Sequence, residues 1–297
     1  MSRFSLKGLG VALVTPFKED YNIDFEALGA IVRRICEGGA DFIVVMGTTG
    51  ETPTLTADEA ESVSRFVREA TGGSIPLVLG MGGNCTASLC RRLQETDLEG
   101  YSAILSVCPF YNKPNQEGMY RHFKAVAEAS PLPVILYNVP GRTGVNLLPS
   151  TTLRLARECP NIIGVKEASG SVSAVSEIVA GKPDGFEVVS GDDALTLPMM
   201  AVGASGVISV VGNAFAAEFS GLVHAAAQGD FARAEKVHRR FKSLYRLMFA
   251  EGNPAGIKCA LSLLGLCRNV LRLPLVPVGN ICKGQIAEAI EALRADM

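Results

Sequence analysis

Lys166 lies inside the apolar run IIGVKEAS, an unusual place for an ammonium unless chemistry requires it there. Side chains alternate along a strand, so Ile163 and Val165 share one face while Gly164, Lys166 and Ala168 share the other. Small neighbours leave room around the amine. Burying an unpaired ammonium is costly, so its pKa should fall toward neutrality. A partly neutral amine is a nucleophile able to form a Schiff base with a carbonyl substrate. The competing reading is a strand-mouth lysine, paired with Glu167 or solvated. Tyr137, in ILYNVP, favours the first, because imine chemistry needs proton transfers at every step and a poised hydroxyl relays them. The plainer role for Tyr137 is a core aromatic whose O–H finds a carbonyl. Thr48, Thr49 and Tyr111 bring further hydroxyls to neighbouring strand ends, which a core built only for packing has little use for. The two threonines belong to GTTGE, residues 47–51, directly after DFIVVM. Its glycines suit a turn; its hydroxyls and clustered N–H groups also suit a binding site.

Other chemistries find less support. His122, His224 and His238 are the three histidines, and all fall in segments of helical pattern without ligand spacing, which speaks against a zinc-dependent reaction. Asp192 and Asp193 in SGDD have the position of a helix cap rather than a cation site. Neither a phosphate-binding GxxxxGK[ST] loop nor a GxSxG elbow is present. No metal and no cofactor is expected.

The elements that must position these residues alternate along the chain. Eight short apolar runs, GVALVTPF, DFIVVMG, PLVLGMG, YSAILSVCPFY, PVILYNVP, IIGVKEAS, FEVVSGDD and GVISVVGN, have the composition of parallel strands buried on both faces. Amphipathic segments lie between them. Asp24 and Thr56 are in N-cap positions, while Gly38-Gly39, Gly72-Gly73 and Gly229 end helices. Eight β–α units without a long linker predict a (β/α)8 TIM barrel over residues 1–230, with a C-terminal helical extension over 231–297 packed on it. A doubly wound sheet is the alternative, but no GxGxxG opens a helix after the first strand. In a barrel, chemistry gathers at the carboxyl ends of the strands, where GTTGE, Tyr111, Tyr137, Arg142 and Lys166 all fall.

Composition narrows the function classes. With 48% hydrophobic and 20% charged residues the chain builds a large core, and a net charge of −2 argues against binding nucleic acid or anionic membranes through bulk electrostatics. The basic stretch HRRFKSLYR reads as a solvated helix face. The eight cysteines, scattered without CxxC pairs and mostly within apolar segments, read as small reduced core residues. MSRFSLKGLGVALVTPF lacks the apolar region of a signal peptide, and no apolar stretch is long enough to span a membrane. A cytoplasmic setting is expected.

Taken in order, GTTGE, YNVPGRTG, IIGVKEAS and SGDD resemble the Schiff-base aldolase family that holds dihydrodipicolinate synthases, N-acetylneuraminate lyases and keto-sugar-acid aldolases. The likeness extends from GVALVTPF to the terminal helices. It implies that Lys166 forms an imine with pyruvate, and that Tyr137, Thr48 and Tyr111 relay protons, Tyr111 reaching in from a neighbouring subunit of a homodimer or homotetramer. It implies further that Thr49, Gly47 and Gly50 cradle the pyruvate carboxylate, with Gly191 and Ile208 also lining the substrate. Converging amides and a hydroxyl make an anion nest, Gly50 permits close approach, and Glu51 is expected to brace the loop rather than react.

Arg142 decides the branch. By resemblance it holds the carboxylate of a second substrate, aspartate 4-semialdehyde, which places the reaction in diaminopimelate and lysine biosynthesis; the neuraminate lyases lack this arginine. A sugar-acid aldolase or N-acetylneuraminate lyase, and a barrel that binds a keto acid without turnover, are the alternatives. EGNPAGIKCAL departs from the family's pattern, with Gly252 and Gly256 where prolines are frequent. The resemblance also implies weak or absent feedback by lysine. Ala57, Ala60, Ser88 and Phe110 stand where lysine-inhibited members carry histidines, a glutamate and a tyrosine, and Asn84 alone is retained.

Overall fold

Each apolar run of the sequence forms a strand in the computed structural model, which describes residues 4–295. The strands are β1 (Gly8–Ala12), β2 (Phe42–Val45), β3 (Leu77–Gly80) and β4 (Ala103–Val107), then β5 (Val134–Asn138), β6 (Ile162–Glu167), β7 (Glu187–Ser190) and β8 (Gly206–Ser209). They run in chain order around a closed barrel, and the paired strands are parallel. This is the (β/α)8 barrel that the alternating pattern predicts.

The connecting helices are α1 (Phe25–Glu37), α2 (Ala57–Thr71), α3 (Thr86–Glu95), α4 (Gln116–Ala129), α5 (Pro140–Thr143), α6 (Pro149–Glu158), α7 (Val172–Gly181), α8 (Thr196–Ala201) and α9 (Gly212–Ala227). Four more follow: α10 (Phe231–Arg240), α11 (Lys242–Ala250), α12 (Ala255–Leu263) and α13 (Asn280–Ala295). The expected caps form. Asp24 accepts from the Ala27 amide at 3.1 Å, and Thr56 and Glu59 make a reciprocal capping box at the start of α2. Gly72 ends α2 with φ +54°, the left-handed conformation that glycine favours.

Two elements differ from the pattern. YNVPGRTG reads as a loop, yet Pro140–Thr143 closes a helical turn with proline at its first position, where a missing N–H costs nothing. The long C-terminal amphipathic segment breaks at Phe241 into α10 and α11. Phe241 is fully buried among Phe215, Phe219 and Tyr245, with ring centroids 5.7–5.8 Å apart. Anchoring this ring fixes the bend. Among the described residues no helix is long and apolar enough to cross a membrane.

By backbone packing the described residues form two compact units, one taking in residues 4–8 with Pro76–Ile208, the other Leu9–Ile75 with residues 209–295. Within the second, α10 packs on α9, and α11, α12 and α13 pack on one another. Within the first, α3 and α4 pair, and His122 on α4 is buried with Nδ1 2.8 Å from Thr86 Oγ1.

Burial holds the His122 pKa down to about 4, against 6.5 for an exposed imidazole. The unfolded chain therefore binds a proton between pH 6.5 and 4 that the folded chain refuses. Stability that is complete above pH 6.5 is lost as pH falls through this window, by up to about 3 kcal/mol. His122→Gln, which keeps a polar group for Thr86 but does not titrate, should flatten that part of a urea-stability curve. Parallel wild-type and variant curves would show that His122 is not the group responsible.

Candidate active site

The alternation of β6 separates Lys166 from its sequence neighbour. Lys166 pairs in register with Tyr137 on β5 and with Val189 on β7, so Tyr137 and Lys166 present side chains on one face of the ladder. Both are nearly inaccessible, at 8% and 6% exposure, and the Lys166 ammonium sits 4.3 Å from the centroid of the Tyr137 ring. An aromatic face attracts a cation at this distance. Gly191, directly after β7, makes room for the lysine. A Cβ there would lie 3.0 Å from Lys166 Cε and 2.6 Å from Ala168 Cβ, while the Gly191 amide donates to the Glu167 carbonyl at 2.7 Å.

Glu167 occupies the opposite face. Its carboxylate accepts from Asn138 Nδ2 at 3.0 and 3.2 Å and from the Ser169 amide at 2.7 Å, so its described partners do not include Lys166. Burial pushes the Glu167 pKa up, and the Asn138 and Ser169 hydrogen bonds work in the other direction. Asn138 also donates to Asn146 Oδ1 at 2.8 Å and accepts from the Leu147 amide at 2.9 Å. These bonds fix the segment that follows α5. Arg142 rides on α5 with its side chain exposed, and the buried Thr143 hydroxyl tightens the turn by donating to the Val145 carbonyl at 2.9 Å.

Tyr111 points elsewhere. It follows β4 with φ +73° and is 87% exposed, on the surface of its own chain. Ile208 is buried near the end of β8.

GTTGE forms a one-turn 3-10 helix, Thr48–Gly50, just beyond β2. The Gly50 and Glu51 amides close the turn on the carbonyls of Gly47 and Thr48, at 3.0 and 3.2 Å. Thr15 Oγ1 donates to the Gly50 carbonyl at 2.8 Å and Thr52 Oγ1 to the Gly47 carbonyl at 3.0 Å. Thr48 is exposed, while Thr49 is buried and accepts from Asn253 Nδ2 at 3.0 Å. Glu51 braces the loop as its sequence suggests. Its side chain and that of Lys258, both wholly inaccessible, form an ion pair, and Lys258 also donates to the Val270 carbonyl at 2.9 Å. Burial pulls the Lys258 pKa down, and the adjoining carboxylate opposes it. The Arg272 amide donates to the other Glu51 oxygen at 3.1 Å. The Arg272 guanidinium grips Glu59 through two bonds, at 2.6 and 2.7 Å, and holds that carboxyl down to about 2.

Sequence reasoning missed Asn138, Asn253 and Lys258. The signal for Asn138 was a second polar residue directly beside Tyr137, in a strand whose every residue is buried. The same signal marks Glu167 beside Lys166. Asp192 is the helix cap that SGDD suggests, accepting from the Ala194 amide at 2.9 Å. Among the described residues, no group of three or more His, Cys, Asp or Glu side chains is placed to hold a metal ion.

Gly191→Ala should crowd the Lys166 stem without straining the backbone, since φ at Gly191 is not positive. We expect reaction of Lys166 with a small keto acid to slow about tenfold or more, with a stability loss of about 1–3 kcal/mol. A variant with full reactivity would show that the space beside Lys166 is not needed.

The family model described as "Dihydrodipicolinate synthetase family" matches residues 5–293. A 4-hydroxy-tetrahydrodipicolinate synthase from Parabacteroides distasonis is 52% identical over 293 residues, 99% of each chain. The crystal structure of a dihydrodipicolinate synthase from Aquifex aeolicus superposes with a TM-score of 0.93 at 42% identity, covering 97% of this chain and 98% of that one. The chloride-inhibited dihydrodipicolinate synthase from Acinetobacter baumannii, solved with pyruvate, superposes at 0.94 with 37% identity, covering 98% and 99%. With likeness spread over almost its whole length, the chain belongs to the dihydrodipicolinate synthetase family.

Proposed function

We propose that the protein is a lyase that joins pyruvate to aspartate 4-semialdehyde through an imine on Lys166, the reaction named by its 4-hydroxy-tetrahydrodipicolinate synthase relatives. The observation that carries the reading is the buried Lys166, paired in register with Tyr137 and given space by Gly191. Lys166 Nζ attacks C2 of pyruvate and water leaves. Loss of a proton from C3 gives an enamine, whose C3 attacks the aldehyde carbon while the aldehyde oxygen takes a proton. The semialdehyde's own amine then adds to C2 and displaces Lys166, closing the ring. Tyr137, Thr48 and Tyr111 carry the protons in this scheme. Thr49 and the loop beginning at Gly47 hold the carboxylate of pyruvate. The Gly50 amide is engaged within its turn, so that glycine contributes a close approach rather than a donor. Gly191 and Ile208 line the substrate.

Arg142, exposed on α5, receives the carboxylate of the semialdehyde. The exposed, left-handed Tyr111 supports a homodimer or homotetramer in which it completes a partner's relay. We place the enzyme in the cytoplasm, in lysine biosynthesis, where its eight free thiols stay reduced.

Pyruvate with borohydride should leave a stable adduct on the peptide containing Lys166, and Lys166→Arg should abolish it in a folded protein, because arginine stays charged. A tag at another residue, or none, sinks the mechanism. Arg142→Ala should keep that adduct yet lower kcat/KM for aspartate 4-semialdehyde by about tenfold to a hundredfold, the loss of one charged hydrogen-bonded contact. If turnover of a sugar-derived aldehyde exceeds that of the semialdehyde in the wild type, the substrate assignment is wrong while the imine stands.

A further inference from the structure

The stretch EGNPAGIK, read above as a departure from the family's pattern, holds GTTGE at two points. Asn253 Nδ2 donates to Thr49 Oγ1 at 3.0 Å, and five residues later Lys258 pairs with Glu51. The glycines let this segment approach closely. Gly252 takes φ +99°, and a Cβ at Gly256 would lie 2.5 Å from the Met248 carbonyl oxygen, so no larger residue lets α12 seat as tightly on α11.

A threonine hydroxyl has one proton to give and lone pairs to receive. Asn253 fills a receiving position, because an amide N–H can only donate. The Thr49 proton is thereby released from Asn253 and is available to an acceptor elsewhere. Both residues are buried, at 7% and 2% exposure, so water competes little for either group. The Lys258–Glu51 pair and the Arg272 amide hold the far end of the same turn, which keeps the hydroxyl oxygen in place.

We infer that Asn253 is a positioning residue that fixes the Thr49 hydroxyl as a donor to the carboxylate of pyruvate. This rests on the reading given under Proposed function, in which Thr49 holds that carboxylate. Asn253 itself touches no substrate; it acts through the direction of one hydrogen bond. An aspartate at 253 reverses that direction, since a carboxylate can only accept and draws the Thr49 proton back to itself.

The test is the rate of borohydride-trapped adduct on Lys166 against pyruvate concentration, in the full-length protein. Asn253→Ala should raise the half-saturating pyruvate about fivefold to tenfold, with the limiting rate changed less than twofold. Asn253→Asp should raise it further, and Thr49→Ser should keep the wild-type response to both changes. In a Thr49→Val background, where no hydroxyl remains to be directed, Asn253→Ala should have no further effect. A role confined to folding would instead lower stability and adduct yield equally in both backgrounds. An equal pyruvate dependence for wild type and Asn253→Ala overturns the inference alone, as does an Asn253→Ala effect of the same size with and without the Thr49 hydroxyl. A wild type that forms no Lys166 adduct overturns the parent reading and the inference with it.

Discussion

The register between β5 and β6 is the constraint on which the rest of the structure depends. It sets Tyr137 opposite Lys166 and Asn138 opposite Glu167. Because side chains alternate, a slip of one residue would exchange the faces of every side chain in the slipped strand. Slipped one way, Lys166 would lie opposite Asn138; slipped the other, Glu167 would lie opposite Tyr137. Nothing in the sequence of either strand alone forbids this. The register is held by burial on both faces, since all eleven residues of the two strands are inaccessible. On the other edge of β6, Gly164 lets the strand seat against β7, since a Cβ there would strike the Glu187 carbonyl at 2.5 Å.

The loop beyond β2 depends on a different kind of interaction. A buried ion pair is weak support for stability, because desolvating both charges offsets much of their attraction. Removing one partner is a separate matter, since the other is left charged and uncompensated, at about 3–5 kcal/mol. The Lys258–Glu51 pair therefore serves best as a locator. Glu51 takes the left-handed conformation, φ +54°, without being glycine, and its two oxygens are committed to Lys258 and the Arg272 amide. A residue held so firmly lets Thr48 and Thr49 stand in a turn of three residues with little room to move.

How much of this could be read beforehand follows from the range of each signal. Strands and caps are local: β-branched runs, Asp24, and the Thr56–Glu59 box each declare themselves within a few residues, and the structure forms them. Lys166 and Tyr137 were legible because a charged or hydroxylated residue in an apolar strand contradicts its surroundings. Asn253 and Lys258 were not, since each lies about two hundred residues from its partner, Asn253 in a turn between helices and Lys258 in an ordinary helical run. The break at Phe241 was hidden for the same reason, as helical periodicity continues through it while the buried rings of Phe215 and Phe219 decide the geometry. Pro140–Thr143 was missed because one turn is too short to show a period.

The two faces of the β5–β6 ladder also explain why Lys166 and the arginine loop need not be positioned separately. On one face, Tyr137 and Lys166 stack. On the other, Asn138 gathers Glu167, Asn146 and the Leu147 amide, so the chain leaving β5 is tied back to β6 just beyond α5. Arg142 lies within that tied segment. Any shift of β6 that moved Lys166 would pull Glu167 with it, strain the bonds to Asn138, and displace the turn carrying Arg142. A buried asparagine bonded on both of its polar atoms resists such a shift, because a broken bond there leaves a desolvated group without compensation. One pair of adjacent polar residues in each strand thus couples the site proposed for imine formation to the loop proposed for the second substrate, and both are held by a single ladder register.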